Sequence, residues 1–419
     1  MLAPITIHHE FRPKRRSLAT ASVADLFGLP ERESPHVVCE NLALDIRPGD
    51  LVLFTGPSGS GKSSLLRAVS EQLGAVDAFA LPLPDAPIID TLAGEVEDRL
   101  ATLASCGLSE ARLLLRTPSE LSEGQRYRFR LAYGFFNCGL RTGNCGLKTD
   151  ASASSDSFSP QFLMVDEFTA TLDRTLARVV SFNVRKLVTR SGIGLLAATT
   201  HEDIVEDLDP DVWVRCFGDG HIECERPVRK RRPISFAHEL WLSEGSARDW
   251  VYFARWHYRG HQLAFVRRVV LLWHDAEPIG ICVFATPAAS LSLRSKFFGL
   301  RNPRSSVALA ALNEQLWVLQ RVVLHPTYRG AGIASAFVRK ACESCPVNWI
   351  ETLSAMGHAN PFFERVGFVK VGVIQRSKKA REDSLPSARQ FGPRAGVTAE
   401  TVAKSDFSDP VYYVFDNRR

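Results

Sequence analysis

A chain of 419 residues with 45% hydrophobic and 23% charged side chains is too long for one ordinary core and too apolar to be a disordered polymer; two globular domains of roughly 200 residues each are expected. The net charge of +5 is a mild excess that proves little alone, and apolar runs such as 193–198 and 269–273 fall far short of the roughly 20 residues that a membrane helix needs. No apolar run follows the basic residues Arg12, Lys14, Arg15 and Arg16, and nine cysteines are scattered along the chain, so a cytoplasmic protein with reduced thiols and no membrane partner is expected.

Residues 1–36 carry no regular period and read as an N-terminal extension. From residue 37 the pattern sharpens: 37–46 alternates like a strand, Arg47-Pro48-Gly49-Asp50 makes a turn, and 51–56 is a buried strand. A helix is predicted from Lys62 to about Leu73, and 86–116 is mostly helical in period. The Gly/Ser/Thr-rich stretch 138–160 reads as a surface insertion. A buried strand at 162–168, a helix and a strand at 192–200 follow. This alternation implies an α/β domain with a largely parallel sheet.

Between the two halves, Arg226, Arg229, Lys230, Arg231 and Arg232 make 226–234 a basic linker. Such a cluster can neutralise phosphates or simply be a solvated connection. Beyond it strands are expected near 265–273 and 279–285, then a variable stretch with Arg294, Lys296, Arg301 and Arg304. A strand at Leu316–Leu324, a helix at 332–345, a strand at Trp349–Ser354 and a closing strand at 411–415 complete the chain. Cys342 and Cys345 form a lone CxxC, and Cys138 and Cys145 flank a Gly-rich bend. Without a second pair or histidines at ligand spacing these read as ordinary thiols.

Gly56-Pro57-Ser58-Gly59-Ser60-Gly61-Lys62-Ser63 fits the pattern GxxxxGK[ST] between a strand and a helix. Glycines let backbone N–H groups wrap a phosphate chain, and the helix dipole adds attraction. Ser58, Gly59 and Ser64 belong to that cradle; Lys62 would reach the β- and γ-phosphates of ATP, and Ser63 would ligate Mg²⁺. The apolar strand 163–165 ends in Asp166, suited to orient the Mg²⁺ shell, and Glu167, suited to polarise an attacking water. Capping of the next helix is the bland alternative for either acid alone.

Leu121-Ser122-Glu123-Gly124-Gln125 resembles the LSGGQ signature of ATP-binding-cassette proteins. Ala170-Thr171-Leu172-Asp173 resembles the loop after their catalytic strand, and His201 their switch histidine. The resemblance covers roughly 37–225 and implies a P-loop ATPase fold in which two copies sandwich two ATP molecules. Ser122 and Gly124 of one subunit would then contact the γ-phosphate held by the other, with Gln125 and Asp173 counted among the nucleotide-binding residues, and an ATP-dependent homodimer is expected. There are departures. The interval from Lys62 to Ser122 is short, Ala80-Leu81-Pro82-Leu83-Pro84-Asp85 lacks the glutamine that faces a membrane partner, and Gln72 lies too early. Phe27 is the candidate for the aromatic residue on adenine. A soluble switch-type ATPase is expected rather than a transporter subunit.

In the second half, Arg329-Gly330-Ala331-Gly332-Ile333-Ala334 follows a strand and opens a helix, a second anion cradle. With Val322-Val323-Leu324-His325-Pro326-Thr327-Tyr328 before it and Asn360–Phe368 after it, it resembles the acyl-CoA core of the GNAT N-acyltransferases, an α+β fold. Arg329, Gly330, Gly332 and Ala334 would hold acetyl-CoA or another acyl-CoA. The family's frequent tyrosine acid falls where this chain has Phe363. Base candidates are Glu351 and His257, with Glu314 and His325 behind them, because carboxylates and imidazoles can be tuned towards neutrality. Trp256-His257-Tyr258-Arg259-Gly260 faintly resembles Mom-type phage proteins that modify adenine in DNA, which raises DNA or tRNA as a partner. The expected organisation is 1–36 extension, 37–225 ATPase, 226–234 linker, 235–380 acyltransferase and 381–419 completing it. The rival is a regulatory protein whose GNAT-like domain is catalytically inactive.

Overall fold

The computed structural model describes residues 2–9, 17–29, 35–142, 162–229, 232–257, 263, 265–300, 305–358, 360–375 and 409–418. Readings that rest on Arg12, Lys14, Arg15, Arg16, Cys145, Lys230, Arg231, Tyr258, Arg259, Gly260, Arg301 and Arg304 lie outside the described residues, as do most of 138–160 and of 381–419. The chain divides into two compact units, Met1–Ser235 and Phe236–Arg419.

The first unit opens with β1 (Ile5–His9), α1 (Leu18–Phe27) and β2 (His36–Leu42), followed by β3 (Leu51–Thr55), α2 (Lys62–Leu73) and β4 (Val76–Asp77). Then come α3 (Val96–Ser105), α4 (Ala111–Leu114), α5 (Glu123–Thr142), β5 (Phe162–Val165), α6 (Arg174–Ser191), β6 (Gly194–Ala198), α7 (Val205–Leu208) and the hairpin β7 (Val212–Gly218) and β8 (His221–Glu225). The six-stranded sheet runs β4-β5-β6-β3-β7-β8 and is parallel except for the final hairpin. Strands covered on both faces read as continuous apolar runs, and Leu51, Val52, Leu53 and Phe54 of the central β3 are all fully buried. Strand alternation sorts them: Leu51, Leu53, Leu163, Val165, Leu195 and Ala197 join the core that includes side chains of α3, α5 and α6. Val52, Phe54, Phe162, Met164, Leu196 and Ala198 join the opposite core with Leu65, Leu66 and Val69 of α2.

Three departures from the periodicity have local causes. Residues 5–9 are no extension: β1 pairs antiparallel with β2, and Ile5 is buried in the second core. Within 86–116 only α3 and α4 are helical, because Pro87 and Gly94 break the first part. The supposed insertion begins later than 138, since α5 continues to Thr142 and Cys138 is fully buried.

The second unit contains β9 (Leu240–Gly245), α8 (Trp250–Ala254), β10 (Val266–His274), β11 (Glu277–Ala285), α9 (Ser292–Phe297), α10 (Ser306–Gln315) and β12 (Leu316–Leu324). It closes with α11 (Ile333–Glu343), β13 (Trp349–Ser354), α12 (Phe362–Val366), β14 (Val369–Val373) and β15 (Val411–Asp416). Its seven-stranded sheet has the order β14-β15-β13-β12-β11-β10-β9. The one parallel junction among the described strands, β12 with β13, is crossed over by α11 and is paired only at Leu316↔Trp349, Trp317↔Ile350 and Val318↔Glu351. Beyond Glu351 the two strands part, with the Thr352 hydroxyl donating to the Leu319 carbonyl at 3.0 Å where they separate. α11 is amphipathic and buries Ile333, Phe337, Val338, Ala341 and Cys342.

Candidate functional site

Strand β3 delivers the chain to Gly56, and the loop to α2 is shaped by glycines. Gly56, Gly59 and Gly61 have φ of 143°, 82° and 89°, conformations that L side chains avoid. Space also demands glycine: a Cβ at Gly56 would lie 2.0 Å from the Cys216 carbonyl oxygen, and one at Gly61 would lie 2.3 Å from Val38 Cγ1. The loop borders a cavity of about 490 Å³ lined by Ser58, Gly59, Gly61, Lys62, Ser63 and Ser64, with Asp166 and Glu167 opposite. Lys62 is buried and its Nζ donates to the Pro57 carbonyl at 2.6 Å. Burial lowers its pKa, while the nearby Asp166 charge pulls the other way.

Ser63 Oγ donates to Asp166 Oδ1 at 3.1 Å, and the same oxygen accepts the Glu167 N–H at 3.0 Å. A hydroxyl and a carboxylate side by side on an anion cradle are the oxygen donors that Mg²⁺ prefers, so the residues fit a magnesium nucleotide. Glu167 stands exposed on the cavity wall with φ 52°, one of the few non-glycine residues in the left-handed region. Such strain persists only where the surroundings hold it. Here Phe168 is clamped, its N–H bonded to the Ala198 carbonyl at 2.7 Å.

The upper rim shows residues that the sequence did not single out. His9 and His36 face each other in the β1–β2 register and both line the cavity; His9 Nε2 is 2.9 Å from Ser64 Oγ. The usable signal was the alternation of 5–9. Phe27 is a correction: it is 77% exposed on α1, a helix with no buried residue, and is not among the cavity residues.

Ser122, Gly124, Gln125, Asp173 and His201 are likewise not among the residues lining this cavity. Ser122 caps α5, its N–H donating to Gln125 Oε1 at 3.0 Å and its Oγ accepting the Gln125 N–H at 3.4 Å. Buried Tyr127, one turn on, accepts the Thr169 N–H at 2.7 Å, tying α5 to the turn after Glu167. Asp173 caps α6 through the Leu176 N–H at 2.9 Å. The His201 N–H donates to Thr199 Oγ1 at 3.1 Å, placing the half-buried imidazole one residue beyond the cavity wall at Thr200.

In the second unit Gly330 and Gly332, both exposed, adopt φ of 87° and 81°, and α11, with Ala334 in its first turn, starts without a side-chain cap. Arg329 Nε donates to the Leu324 carbonyl at 3.1 Å and Nη2 to the Trp256 carbonyl at 3.4 Å. Tyr328 is buried, its hydroxyl 2.7 Å from His274 Nδ1, whose Nε2 is 2.9 Å from Glu239 Oε2. Phe236 stacks on His274 at 4.8 Å and meets Tyr328 edge-on at 5.8 Å. Nothing in the sequence pointed to this cluster.

Glu351 is not the free base expected of it. Its carboxylate, 3% exposed, accepts from Arg294 Nε at 2.9 Å and Nη2 at 2.6 Å, and from the Tyr412 hydroxyl at 2.9 Å. With three donors on its two oxygens, the carboxylate is committed to these partners rather than presented to a substrate. His257 is half-buried, with its ring 5.5 Å from that of Trp250. Glu314 is exposed on α10, and His325 Nδ1 accepts the Thr327 N–H at 3.3 Å within its own turn, beside the Trp256 ring. Phe363 packs 5.5 Å from Tyr413, whose hydroxyl reaches Glu364 Oε1 and the Gly357 carbonyl, each at 3.2 Å. Burial, then the Glu364 charge, pushes Tyr413 up to about 12. Cys342 and Cys345 are core thiols, the latter donating to the Ala341 carbonyl at 3.4 Å.

The basic linker is pinned to acids of the first unit. Arg226 reaches Asp50 at 2.6 Å, Arg229 lies 3.7 Å from both Asp209 and Asp211, and Arg232 reaches Glu206 at 3.1 Å.

Residues 267–370 match the family model described as acetyltransferase (GNAT) domain, and 39–78 match the one described as ABC transporter. Over 222 residues the chain is 30% identical to the aliphatic sulfonates import ATP-binding protein SsuB 2 of Paraburkholderia xenovorans, covering 48% of this chain and 78% of that protein. SsuB 3 of the same organism is 31% identical over 198 residues, 42% of this chain and 70% of its own length. The lipoprotein-releasing system ATP-binding protein LolD of Novosphingobium aromaticivorans is 28% identical over 212 residues, 41% of this chain and 85% of its own.

Proposed function

The chain belongs to the ATP-binding-cassette ATPases and carries a GNAT acyltransferase domain behind the cassette, and from that premise we propose that ATP turnover in the first unit controls acyl transfer in the second. The observation that carries the first half is the Ser63–Asp166 contact in a glycine-built cradle with Glu167 on its wall. ATP supplies the phosphoanhydride and Mg²⁺ the charge neutralisation when bound. The loop amides and Lys62 hold the phosphates, Ser63 and Asp166 hold the metal, and Glu167 orients the attacking water. His9 and His36 offer the aromatic surface for the base. Ser122, Gly124, Gln125 and Asp173, which stand away from their own cavity, are suited to close on the cavity of a second copy, and His201 to report the γ-phosphate.

In the second unit, acyl-CoA supplies the activated acyl group when bound. Arg329, Gly330, Gly332 and Ala334 present the α11 amides to its pyrophosphate, and the opening between β12 and β13 admits the acyl arm. His257 is the assigned base, since Glu351 is committed to Arg294. The acceptor is read as an amine. A nucleic-acid acceptor draws no support from the linker, whose Arg226, Arg229 and Arg232 are already paired.

A second reading has one observation in its favour: Phe363 packs on Tyr413 and cannot exchange a proton. The domain would then bind acyl-CoA as a signal. Labelled acetyl from acetyl-CoA, offered with ATP and magnesium to pools of DNA, tRNA, protein and small amines, separates the two. Label in one pool that a Gly332→Asp chain does not produce supports the transferase; acetyl-CoA binding with no label anywhere supports the sensor.

A further inference from the structure

Two consecutive residues are each fixed inside a different unit. Ser235, the last residue of the first unit, donates both its N–H and its hydroxyl to the Asp207 carboxylate, each at 2.7 Å. Asp207 is 3% exposed on α7, and bonds from two donors to a buried carboxylate are of the strong, charge-assisted kind. Phe236, the first residue of the second unit, is fully buried, stacked on His274 and edge-on to Tyr328. Successive Cα atoms lie about 3.8 Å apart across a trans peptide, so no free residue separates the anchors.

Each anchor is also the end of a short chain of contacts that begins at a ligand cradle. In the first unit Thr199 and Thr200 wall the nucleotide cavity. Glu202 Oε1 accepts the hydroxyl of Thr55, the last residue before the phosphate loop, at 3.2 Å. Asp203 is paired with Arg174 and lies 3.8 Å from Arg178 on α6. α7 with Asp207 follows directly. In the second unit Phe236 touches Tyr328, and the next residues, Arg329 and Gly330, belong to the proposed acyl-CoA cradle; His274, itself bonded to Glu239, meets the Tyr328 hydroxyl.

We propose that the Ser235–Phe236 joint is the transmission between the two sites: a shift of the 199–207 segment with nucleotide state is passed through Asp207 and Ser235 to Phe236, and changes how Tyr328 presents the 329–332 cradle. This rests on the proposed ATP and acyl-CoA functions. Because coupling between two binding equilibria is reciprocal, acetyl-CoA changes ATP affinity by the same factor as ATP changes acetyl-CoA affinity.

The test measures acetyl-CoA affinity of the full chain with and without ATP, in a Glu167→Gln background that keeps the nucleotide intact. It is repeated with Gly-Ser-Gly-Ser inserted between Ser235 and Phe236, and with Asp207→Ala. A second readout follows amide exchange at 326–333 on adding ATP alone. The uninterrupted chain is expected to show about a fivefold or larger change in acetyl-CoA affinity and altered exchange at 326–333. The insertion keeps both anchors but adds slack, and should reduce both effects to nothing while each ligand still binds singly. Asp207→Ala should do the same by releasing Ser235. An insertion chain that keeps the ATP effect, or an uninterrupted chain that binds both ligands independently, overturns the joint while leaving the two activities standing. A chain that binds no acetyl-CoA in any nucleotide state removes the acyltransferase reading and the joint together.

Discussion

Arg294 and Glu351, 57 positions apart, meet in a two-point ion pair with 1% and 3% of their surfaces exposed. Arg294 comes from α9, in the stretch between β11 and β12, and its Nη1 also donates to the Ala288 carbonyl at 2.6 Å. Glu351 occupies the last paired row before β12 and β13 part. The pair therefore fixes α9 to the strand at the mouth of the opening, and Tyr412 completes it from β15.

Removing one partner leaves the other charged and buried. Arg294→Met alone, or Glu351→Gln alone, is expected to cost about 3–5 kcal/mol, read by chemical denaturation of the second unit. Arg294→Met with Glu351→Leu and Tyr412→Phe should recover most of that loss. If Glu351→Gln were harmless to stability yet abolished acyl transfer, Glu351 would be a base after all.

The phosphate loop offers a paired comparison. Gly59 and Gly61 have nearly the same φ, 82° and 89°, but a Cβ at Gly59 meets nothing within 4 Å, whereas one at Gly61 strikes Val38 at 2.3 Å. Each alanine substitution pays backbone strain of about 1–2 kcal/mol. Gly61→Ala adds a displaced Val38, so its ATP affinity and melting temperature should both fall further than those of Gly59→Ala. Equal losses would show that backbone conformation alone makes the cradle.

Thiol chemistry checks the reading of the cysteines. Among those described, Cys224 is exposed and the other seven are buried. In a Cys145→Ser chain, an aromatic disulfide reagent should label Cys224 first, and Cys224→Ser should remove that phase. Desolvation raises the Cys224 thiol above its ordinary value, offset by the neighbouring Arg226 charge, so labelling should keep accelerating as pH rises past the usual thiol range. Cys342 and Cys345 should react only on unfolding. Fast reaction of either would contradict their core placement.

Tyr413 gives a pH signature. Its folded value, pushed up to about 12, exceeds the ordinary phenol value of about 10, so the folded chain retains a proton that the unfolded chain releases. Its contribution to stability is complete below about pH 10 and is lost as pH rises from there towards the folded value. Tyr413→Phe should flatten the fall in stability over that window, measured by denaturant midpoints. It should leave the profile below pH 10 with the same slope.

What could be read in advance follows from range. The phosphate loop, Asp166 and Glu167 were legible because each motif is contiguous and its strand–loop–helix setting is written in the same few residues. The partners of Glu351 were not: Arg294 and Tyr412 are 57 and 61 positions away, and no local period carries that information. His9 escaped because a five-residue strand gains its meaning only from pairing with β2 across α1. The linker misled for a related reason. Composition displayed its arginines, whereas the acids that neutralise them, from Asp50 to Asp211, are scattered along the preceding unit.

That pinned linker also decides where the protein can be recombined. Residues 226–234 look like spacer in the sequence, yet the ion pairs of Arg226, Arg229 and Arg232 and the Ser235 anchor reach back into the cassette. A chimaera that joins this ATPase to another acyltransferase should retain everything through Ser235 and change partner at Phe236. Cutting at the first arginine instead would strip counter-charges from Asp50, Asp209 and Glu206 and leave the donor module weaker than it was in its parent.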